Sequence, residues 1–455
     1  MSEHARQSVL FQGLASRPVL AAFDEPSVTT NGGALLLGVL DRRLGLTERL
    51  ATAIADPREA GKVQHEVIDL VRQRVHGLAC GYSDCNDAAR IGADPAMRLL
   101  LGHGPDDAVA SQPTLSRFEA RTTPEDLVRL CDALADSVLE RHRRRLKGRL
   151  KRITIDLDFT DDLVHGSQQL ALFNTHYGGW CYLPLLAFVT FNDEPEQYLV
   201  GAILRPGRTA AGGEIVELLK FVLSCVRRHF PHTRILLRGD GGFTSGELLD
   251  YVEDEGLDYL LGMPRNPVLE ARSEKLVRRA RRESKRTGRT VSLFDETVYG
   301  AKAWRGRARR VIFKAEVTQL EDREARDNPR YVITNLRLSP RNVYKCYRQR
   351  GDVENRIKEL KGDLDMDRTS CHTHDANQFR VLLTAAAYAL VQELRLHVAR
   401  ILRVRPTAAT LRLQLLKIGG RVVSSVRRVV VHLAESHPWK HEWLTLSRAL
   451  GASSA

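Results

Sequence analysis

The sequence predicts an α/β protein built around a mixed β-sheet, with a mainly helical region before it. Up to about residue 130, apolar residues recur at helical spacing between Gly and Pro clusters. From Arg152 the pattern changes to the alternation of a strand, and two further strands follow. Strands and helices then alternate, which favours parallel pairing through crossovers.

The predicted core consists of a three-stranded meander followed by two strand–helix units. Its strands are predicted at 152–158, 181–190, 198–205, 235–238 and 258–263, with helices at 214–229 and 245–255. This order predicts an RNase H-like mixed sheet. Residues 264–328 interrupt it with a basic helix and short β-like pieces, and Tyr331–Asn335 resumes the core. A long helix is predicted at 377–404.

Five regions follow from this pattern. They are a helical N-terminal region (1–145), the first part of the core (146–263), a β-rich insertion (264–328), the second part of the core (329–400) and a helical C-terminal region (401–455).

The charge balance favours a polyanionic partner. Among 455 residues, Lys and Arg number 69 and Asp and Glu 56, giving a net charge of +13. The cations cluster at Arg141–Arg152 and Arg278–Arg289. Nucleic acid is the simplest such partner.

The cysteines and the apolar segments bear on the compartment. Seven scattered cysteines argue against a disulfide scaffold or a structural zinc site and favour a reducing cytoplasm. The first residues lack the apolar core of a secretory signal, and we expect no membrane-spanning segment.

A short helix around residues 111–119 has two interpretations. Ser111 can cap it, and its polar face would hold Gln112, Ser116 and Arg117. A helix of this kind after a short turn suits a helix-turn-helix reader of the major groove, which would make the helical N-terminal region, 1–145, a DNA-binding region. An ordinary surface helix fits equally well.

The stretch YRQRGDVENRIKELK, Tyr347–Lys361, places unusual chemistry on one predicted helix. At about 100° per residue, Tyr347, Arg350, Glu354, Lys358 and Lys361 share one stripe. Such a stripe can be a row of solvated ion pairs. It can also hold a metal through its carboxylate and phosphates through its cations.

Other carboxylates are predicted at the ends of strands. Asp158 ends the first strand, with Asp156 on the same face two residues earlier, and Asp240 follows the fourth strand. Groups at the carboxyl ends of neighbouring strands collect in one crevice, where a helix across the sheet would add Glu354. Carboxylates gathered in this way suit Mg²⁺ ions that assist phosphoryl transfer.

These motifs resemble those of DDE transposases of bacterial insertion sequences, in the branch with a Y-x2-R-x3-E-x6-K signature. Tyr347, Arg350, Glu354 and Lys361 fit that signature at every position. The first aspartate motif is matched by Asp158-Phe159-Thr160, and the second by Asp240-Gly241-Gly242-Phe243. The resemblance covers roughly residues 20–400.

The resemblance implies the roles of the site residues. Asp158, Asp240 and Glu354 would bind two Mg²⁺ ions, for which Mn²⁺ can substitute, and Tyr347, Arg350 and Lys361 would hold DNA phosphates. Trp304, among Lys302, Arg305 and Arg307, would stack on a flipped base beside a DNA hairpin, or else belong to the core of the insertion. Asp156 stays an alternative ligand to Asp158 if the strand register differs.

The resemblance also implies the biology. The protein would excise and reinsert an insertion sequence by cutting and pasting double-stranded DNA, through a hairpin intermediate. It would bind the terminal inverted repeats and the target DNA as a homodimer, in the bacterial cytoplasm at the nucleoid. A plain metal-dependent nuclease and a domesticated DNA-binding protein are the alternatives, but a domesticated protein is expected to have lost members of the acidic triad.

Overall fold

The N-terminal region is mainly helical, as predicted. A computed structural model describes residues 9–175, 177–208, 212–319 and 324–452; residues 1–8, part of the segment expected to lack a secretory signal, lie outside these ranges. The elements of this region are β1 Val9–Phe11, β2 Val19–Ala21, β3 Val28–Thr29, α1 Leu35–Leu44, α2 Leu46–Thr52, α3 Val67–Ala79, α4 Ala88–Ala93, α5 Pro95–Leu100, α6 Gln112–Ala120 and α7 Pro124–Leu146.

The core strands lie close to their predicted positions. The elements are β4 Arg152–Phe159, β5 Asp162–Leu163, β6 Leu172–Asn174, β7 Gly179–Tyr182, β8 Leu185–Phe191, β9 Tyr198–Ile203, α8 Gly212–His229, β10 Arg234–Gly239, α9 Gly246–Asp254 and β11 Asp258–Met263. The single strand predicted at 181–190 is two strands, β7 and β8, separated at Leu183 and Pro184. Only β8 belongs to the main sheet, because β7 pairs with β5 and β6 in a small separate sheet.

The remaining elements complete the main sheet and cover it with helices. They are α10 Pro267–Thr287, β12 Val291–Tyr299, β13 Arg309–Thr318, β14 Arg326–Asp327, β15 Arg330–Thr334, α11 Pro340–Arg348, α12 Gly351–Gly362, α13 His374–Ile401, α14 Ala408–Leu411, β16 Gly420–Ser424, β17 Val429–Leu433 and α15 Lys440–Ala449.

The main sheet has the order β12-β13-β15-β11-β10-β4-β8-β9, with β14 paired to β13. Strand β4 is parallel to β10, which is parallel to β11, and β4, β8 and β9 form the predicted antiparallel meander. The β-strands of the predicted insertion extend this same sheet, since β13 pairs with β15 along five residues. The segment therefore continues the core sheet at one edge.

Helix α13 forms the centre of the largest apolar cluster. It is long and apolar enough to cross a membrane, but 89% of its most apolar window is buried inside the protein. It packs against α3, α7 and β9, and its side chains join those of α1–α3 in one core. These contacts are those of a core helix.

Two predictions about the flanking regions need correction. The C-terminal region is not only helical, because β16 and β17 form a hairpin whose strand β16 pairs with β3 near the N-terminus. Helix α6 begins after Ser111 as predicted, but residues 101–111 separate it from α5, so the turn is too long for a helix-turn-helix motif. The polar face of α6 is partly self-paired, as Gln112 Nε2 donates to Ser116 Oγ at 2.9 Å.

Candidate active site

Two aspartates come together at the ends of adjacent parallel strands. Asp156 of β4 stands opposite Arg238 of β10, so continuing the register places Asp158 beside Asp240. Neighbouring strands are about 4.8 Å apart. Asp240 begins a short 3₁₀ turn, where its Oδ1 accepts a bond from Gly242 N at 2.8 Å. The register of β4 and β10 therefore places the two carboxylates side by side, as the sequence predicts.

Asp158 is nearly buried and is held by a cation. Its Oδ2 lies 2.8 Å from Arg350 Nη2, and its Oδ1 accepts a bond from Phe159 N at 3.0 Å. Burial raises the pKa of Asp158 to about 6; Arg350 opposes this rise, while the charges of Asp240 and Glu354 add to it. The three acidic groups therefore share one electrostatic environment.

The signature residues lie on two helices instead of the predicted single one. Helix α11 ends at Arg348 and α12 begins at Gly351. Across the break, Gln349 N and Arg350 N bond to carbonyls three residues earlier, which tightens the turn. Arg350 stands at this junction, where its side chain reaches Asp158.

Tyr347 approaches the backbone beside the second aspartate. A Cβ at Gly262 in β11 would collide with the Tyr347 hydroxyl, and the same point lies close to the backbone of Asp240 and Gly241. The missing side chain of Gly262 lets the phenol reach this position. Burial raises the pKa of Tyr347; the Arg350 charge opposes this rise, and the charge of Asp240 adds to it.

Glu354 and Lys361 lie further along α12. The Glu354 side chain is 62% exposed, and its Oε1 is 3.9 Å from Arg350 Nη1. Lys361 Nζ is 2.9 Å from both the carbonyl oxygen and Oδ1 of Asp161. Arg350 and Lys361, predicted to hold DNA phosphates, are therefore paired with acidic groups of the protein here.

A cavity of about 560 Å³ opens between these elements. Asp240, Tyr347, Arg350 and Glu354 are among its lining residues. Three exposed arginines that the sequence reasoning missed also line it, and none has an acidic partner among the described residues: Arg265, Arg330 and Arg348. None of the three belongs to the Y-x2-R-x3-E-x6-K signature. The sequence offers a signal for Arg348 alone, which directly follows the signature residue Tyr347.

Asp156 has a structural role that separates it from Asp158. It is fully buried, and Arg238 Nε and Nη2 donate to its two oxygens at 2.7 Å each. Gln197 Nε2 adds a third bond at 3.0 Å, and Arg238 also donates to the carbonyl of Cys346 in α11. The alternative that Asp156 replaces Asp158 in the site loses its support, because its oxygens are already engaged.

Trp304 is buried, so of its two expected places, on a flipped base or in a core, the structure has the second. Its side chain is 1% exposed, and its Nε1 donates to Thr244 O at 2.9 Å. The Tyr299 ring packs edge-on at 5.6 Å, and the Arg309 guanidinium lies 5.5 Å from the ring centroid. The ring belongs to the apolar core under the main sheet and offers no free face to a base.

The donor chemistry fits a divalent cation, although the carboxylates are not gathered around one point. In the described ranges, no three Asp, Glu, His or Cys side chains are placed to hold one metal ion. Instead, the Arg350 guanidinium lies between Asp158 and Glu354. A metal held by Asp158, Asp240 and Glu354 would take over the counter-charge that Arg350 supplies here.

The protein is thus an α/β protein with an acidic, arginine-lined cleft. Two aspartates lie at the ends of neighbouring strands, and a glutamate on a helix across the sheet faces them. The family model described as transposase DDE domain, group 1, matches residues 11–454. The protein belongs to this family of DDE transposases, and its function is DNA transposition.

The remaining comparisons add little. No curated protein matches the chain significantly. Among solved structures, it is similar to a piggyBac transposase in a synaptic complex with hairpin DNA, determined by cryo-electron microscopy. The TM-score is 0.42 and the identity 10%, over 85% of this chain and 79% of that chain.

Proposed function

We propose that this transposase cuts DNA at the ends of an insertion sequence and joins the freed 3′ ends to target DNA. The observation that carries the proposal is the alignment of Asp158 with Asp240 under Arg350 and Glu354. The strand order β9-β8-β4-β10-β11 also supports assigning the core to the RNase H-like folds. Recognition of terminal inverted repeats and action as a homodimer are parts of this proposal.

Divalent cations are the proposed cofactor, Mg²⁺ in the cell with Mn²⁺ able to substitute. Asp158, Asp240 and Glu354 would hold them, since Mg²⁺ prefers carboxylate oxygens and leaves room for phosphates. Bound there, such ions activate a nucleophile and stabilise the leaving oxygen of an in-line displacement. Arg265, Arg330 and Arg348 are placed to hold the phosphates of the strand that enters the cavity.

A second set of cations supports a longer DNA contact. Lys275, Arg279, Arg282 and Arg286 lie on one exposed stripe of α10, and none has an acidic partner among the described residues. Helix α10 begins two residues after Arg265, which lines the cavity. The stripe lies further along the same helix, so it extends the basic surface away from the site. By contrast, the basic run at the end of α7 is largely paired, as with Arg141 and Glu393 or Arg145 and Glu194.

The hairpin intermediate is a separate part of the proposal. The resemblance suggests it, but the buried Trp304 gives it no support as a base-stacking residue. A denaturing gel separates the possibilities, since a hairpin doubles the length of the labelled strand while a nick only shortens it.

The test is incubation of the purified protein with DNA carrying the ends that flank its gene, with and without Mg²⁺. We expect Mg²⁺-dependent nicks at the ends and joined products with target DNA. Asp158→Asn, Asp240→Asn and Glu354→Gln should abolish both while keeping DNA binding, and Asp352→Asn, an exposed neighbour on α12, should keep both. Cutting of any duplex without joining would indicate a plain nuclease, and cutting by all three site variants would overturn the proposed site.

A further inference from the structure

A buried cluster of charged side chains joins α12, which carries Glu354, to the rest of the core. Its members are Glu196 in the β8–β9 turn, Arg356 and Glu359 on α12, and Arg395 on α13. The side chains of Arg395 and Glu359 are only 2% and 7% exposed. Two acidic and two basic groups make the cluster neutral, although it lies inside the protein.

Arg395 bridges the two glutamates of the cluster. Its Nη1 lies 2.9 Å from Glu196 Oε1, and its Nη2 lies 2.6 Å from Glu359 Oε1. Arg356 Nη1 lies 3.2 Å from an oxygen of each glutamate. Tyr388 Oη, also on α13, donates to Glu359 Oε2 at 2.7 Å. Helix α12 is therefore held against both α13 and the β8–β9 turn by directional contacts.

The same turn is joined to the strand of the first site aspartate. Gln197, next to Glu196, donates from Nε2 to Asp156 Oδ2 at 3.0 Å. Asp156 precedes Asp158 by two residues on β4. A continuous set of buried polar contacts thus runs from the strand that carries Asp158 to the helix that carries Glu354.

The cluster is placed on α12 so that it can fix the position of Glu354. Glu359 lies five residues after Glu354, about 7.5 Å along the helix and about 140° around it. Glu354 lines the cleft, while Glu359 faces α13. The buried apolar residues of α12 are Val353, Ile357 and Leu360. Such aliphatic contacts tolerate repacking, whereas a shift of the helix along α13 would leave buried charges unpaired.

Stability alone does not account for charges in this place. A buried ion pair adds little stability over apolar residues of the same size, and its best-attested use is to fix the register of packed elements. We propose that Glu196, Glu359 and Arg395 position Glu354 relative to Asp158 for metal binding. They are positioning residues, since none of them lines the cleft. This inference rests on the proposed function and deepens it by naming what sets the geometry of the acidic triad.

The test removes one charge of each sign with Glu359→Met/Arg395→Met, which leaves Glu196 paired with Arg356. Apolar replacements of similar size should keep the unfolding free energy close to that of the wild type. Binding of end DNA without Mg²⁺ should also be unchanged. The Mg²⁺ concentration that gives half-maximal nicking should rise about 10-fold or more, the range seen when residues that orient metal ligands are lost.

A second measurement needs no cleavage. The midpoint of thermal unfolding of the DNA-free protein is followed as Mg²⁺ is added. We expect Mg²⁺ to raise the midpoint of the wild type, and the double variant to need a higher Mg²⁺ concentration for half of its own rise. A purely structural role would lower the midpoint by the same amount at every Mg²⁺ concentration, without changing the concentration needed for half of the rise.

Two further variants make the result specific. Arg145→Met/Glu194→Met removes an ion pair of 2.6 Å from the same β8–β9 turn. Among the described residues, neither member has a polar contact with α12, so the Mg²⁺ dependence should stay that of the wild type. Arg395→Lys keeps a charge but lacks the fork that bonds two glutamates. It should fall between the wild type and the double variant, and it carries the test if the double variant does not fold.

Two outcomes would overturn the inference. One is an unchanged Mg²⁺ dependence in both Glu359→Met/Arg395→Met and Arg395→Lys. The other is an equal rise in the Mg²⁺ requirement of Arg145→Met/Glu194→Met, because the effect would then belong to the turn and not to its contacts with α12. Failure of the proposed function is distinguishable, since the wild type itself would then show no Mg²⁺-dependent nicking of end DNA.

Discussion

The guanidinium of Arg350 lies 2.8 Å from Asp158 and 3.9 Å from Glu354, so one side chain contacts two members of the acidic triad. Asp158 and Arg350 are both nearly buried, with side chains 9% and 12% exposed. Because a carboxylate in such a place needs a counter-charge, Arg350 performs that task when no metal does.

Replacing Arg350 by Gln should therefore have two opposite effects. Without metal, the variant should lose about 1–3 kcal/mol of unfolding free energy, because Asp158 is left without its charged partner. Mg²⁺ should raise the unfolding free energy of the variant more than that of the wild type, because the metal no longer competes with the Arg350 guanidinium for Asp158 and Glu354. Thermal unfolding with and without Mg²⁺ measures both effects. Arg348→Gln is the matched control, and an equal response to Mg²⁺ in Arg350→Gln and the wild type would contradict the expectation.

The buried pair of Asp156 and Arg238 gives a second prediction. Two bonds of 2.7 Å join them, and Arg238 also holds the carbonyl of Cys346 at the end of α11. Asp156→Asn or Arg238→Gln should each cost about 3–5 kcal/mol, because the remaining charge is buried without a partner. The double variant should cost less than the sum. Urea unfolding tests this, and if Asp156→Asn unfolds like the wild type but no longer responds to Mg²⁺, Asp156 is a metal ligand after all.

Local pattern was sufficient for most strands of the core and for the place of the two aspartates at the ends of β4 and β10. The alternation in β4 and the strand–helix order after it follow from which side chains are buried, and apolar residues mark those positions in the sequence. Strand β11 begins and ends where the pattern predicts, at Asp258 and Met263. The pairing of β13 with β15 could not be predicted in the same way, since the partner of an edge strand is set by distant residues.

The errors at the site have similar causes. The helix break at Gln349 and Arg350 lies just before Gly351, a residue that disfavours a helix interior but does not by itself end a helix. The break places the arginine against Asp158, a contact between residues far apart in the chain. Trp304 has charged neighbours on both sides, which suggests exposure. Yet Arg305 adopts a left-handed backbone with φ 51°, and the indole turns into the core while the cations stay outside.

Asp162 predicts a pH dependence of stability. Burial raises its pKa to about 8, although Thr369 donates a hydrogen bond that favours the ionised form. The folded state therefore holds a proton that the unfolded chain, with a pKa near 3.8, releases earlier. The resulting stabilisation is complete below the unfolded pKa and is lost as the pH rises towards 8, by at most about 1.4 kcal/mol per pH unit.

Asp162→Asn removes this titration while keeping the shape of the side chain. The unfolding free energy of the wild type, compared with that of the variant, should fall between pH 5 and pH 8. Asp352→Asn, at an exposed position on α12, is the control. Parallel pH profiles for the wild type and Asp162→Asn would show that Asp162 is ionised throughout.

Trp304 gives the last prediction, which separates packing from DNA contact. Its indole is buried against Tyr299 and donates to Thr244 O, so Trp304→Ala should cost about 3–5 kcal/mol. Trp304→Phe keeps most of the packing and should cost less, chiefly the hydrogen bond. If the ring serves only the core, Trp304→Phe should nick end DNA and process it further at wild-type rates once the protein is folded. A Trp304→Phe protein of nearly normal stability that nicks DNA but stops there would instead give the ring a role in the later steps, and would require the segment around it to open when DNA binds.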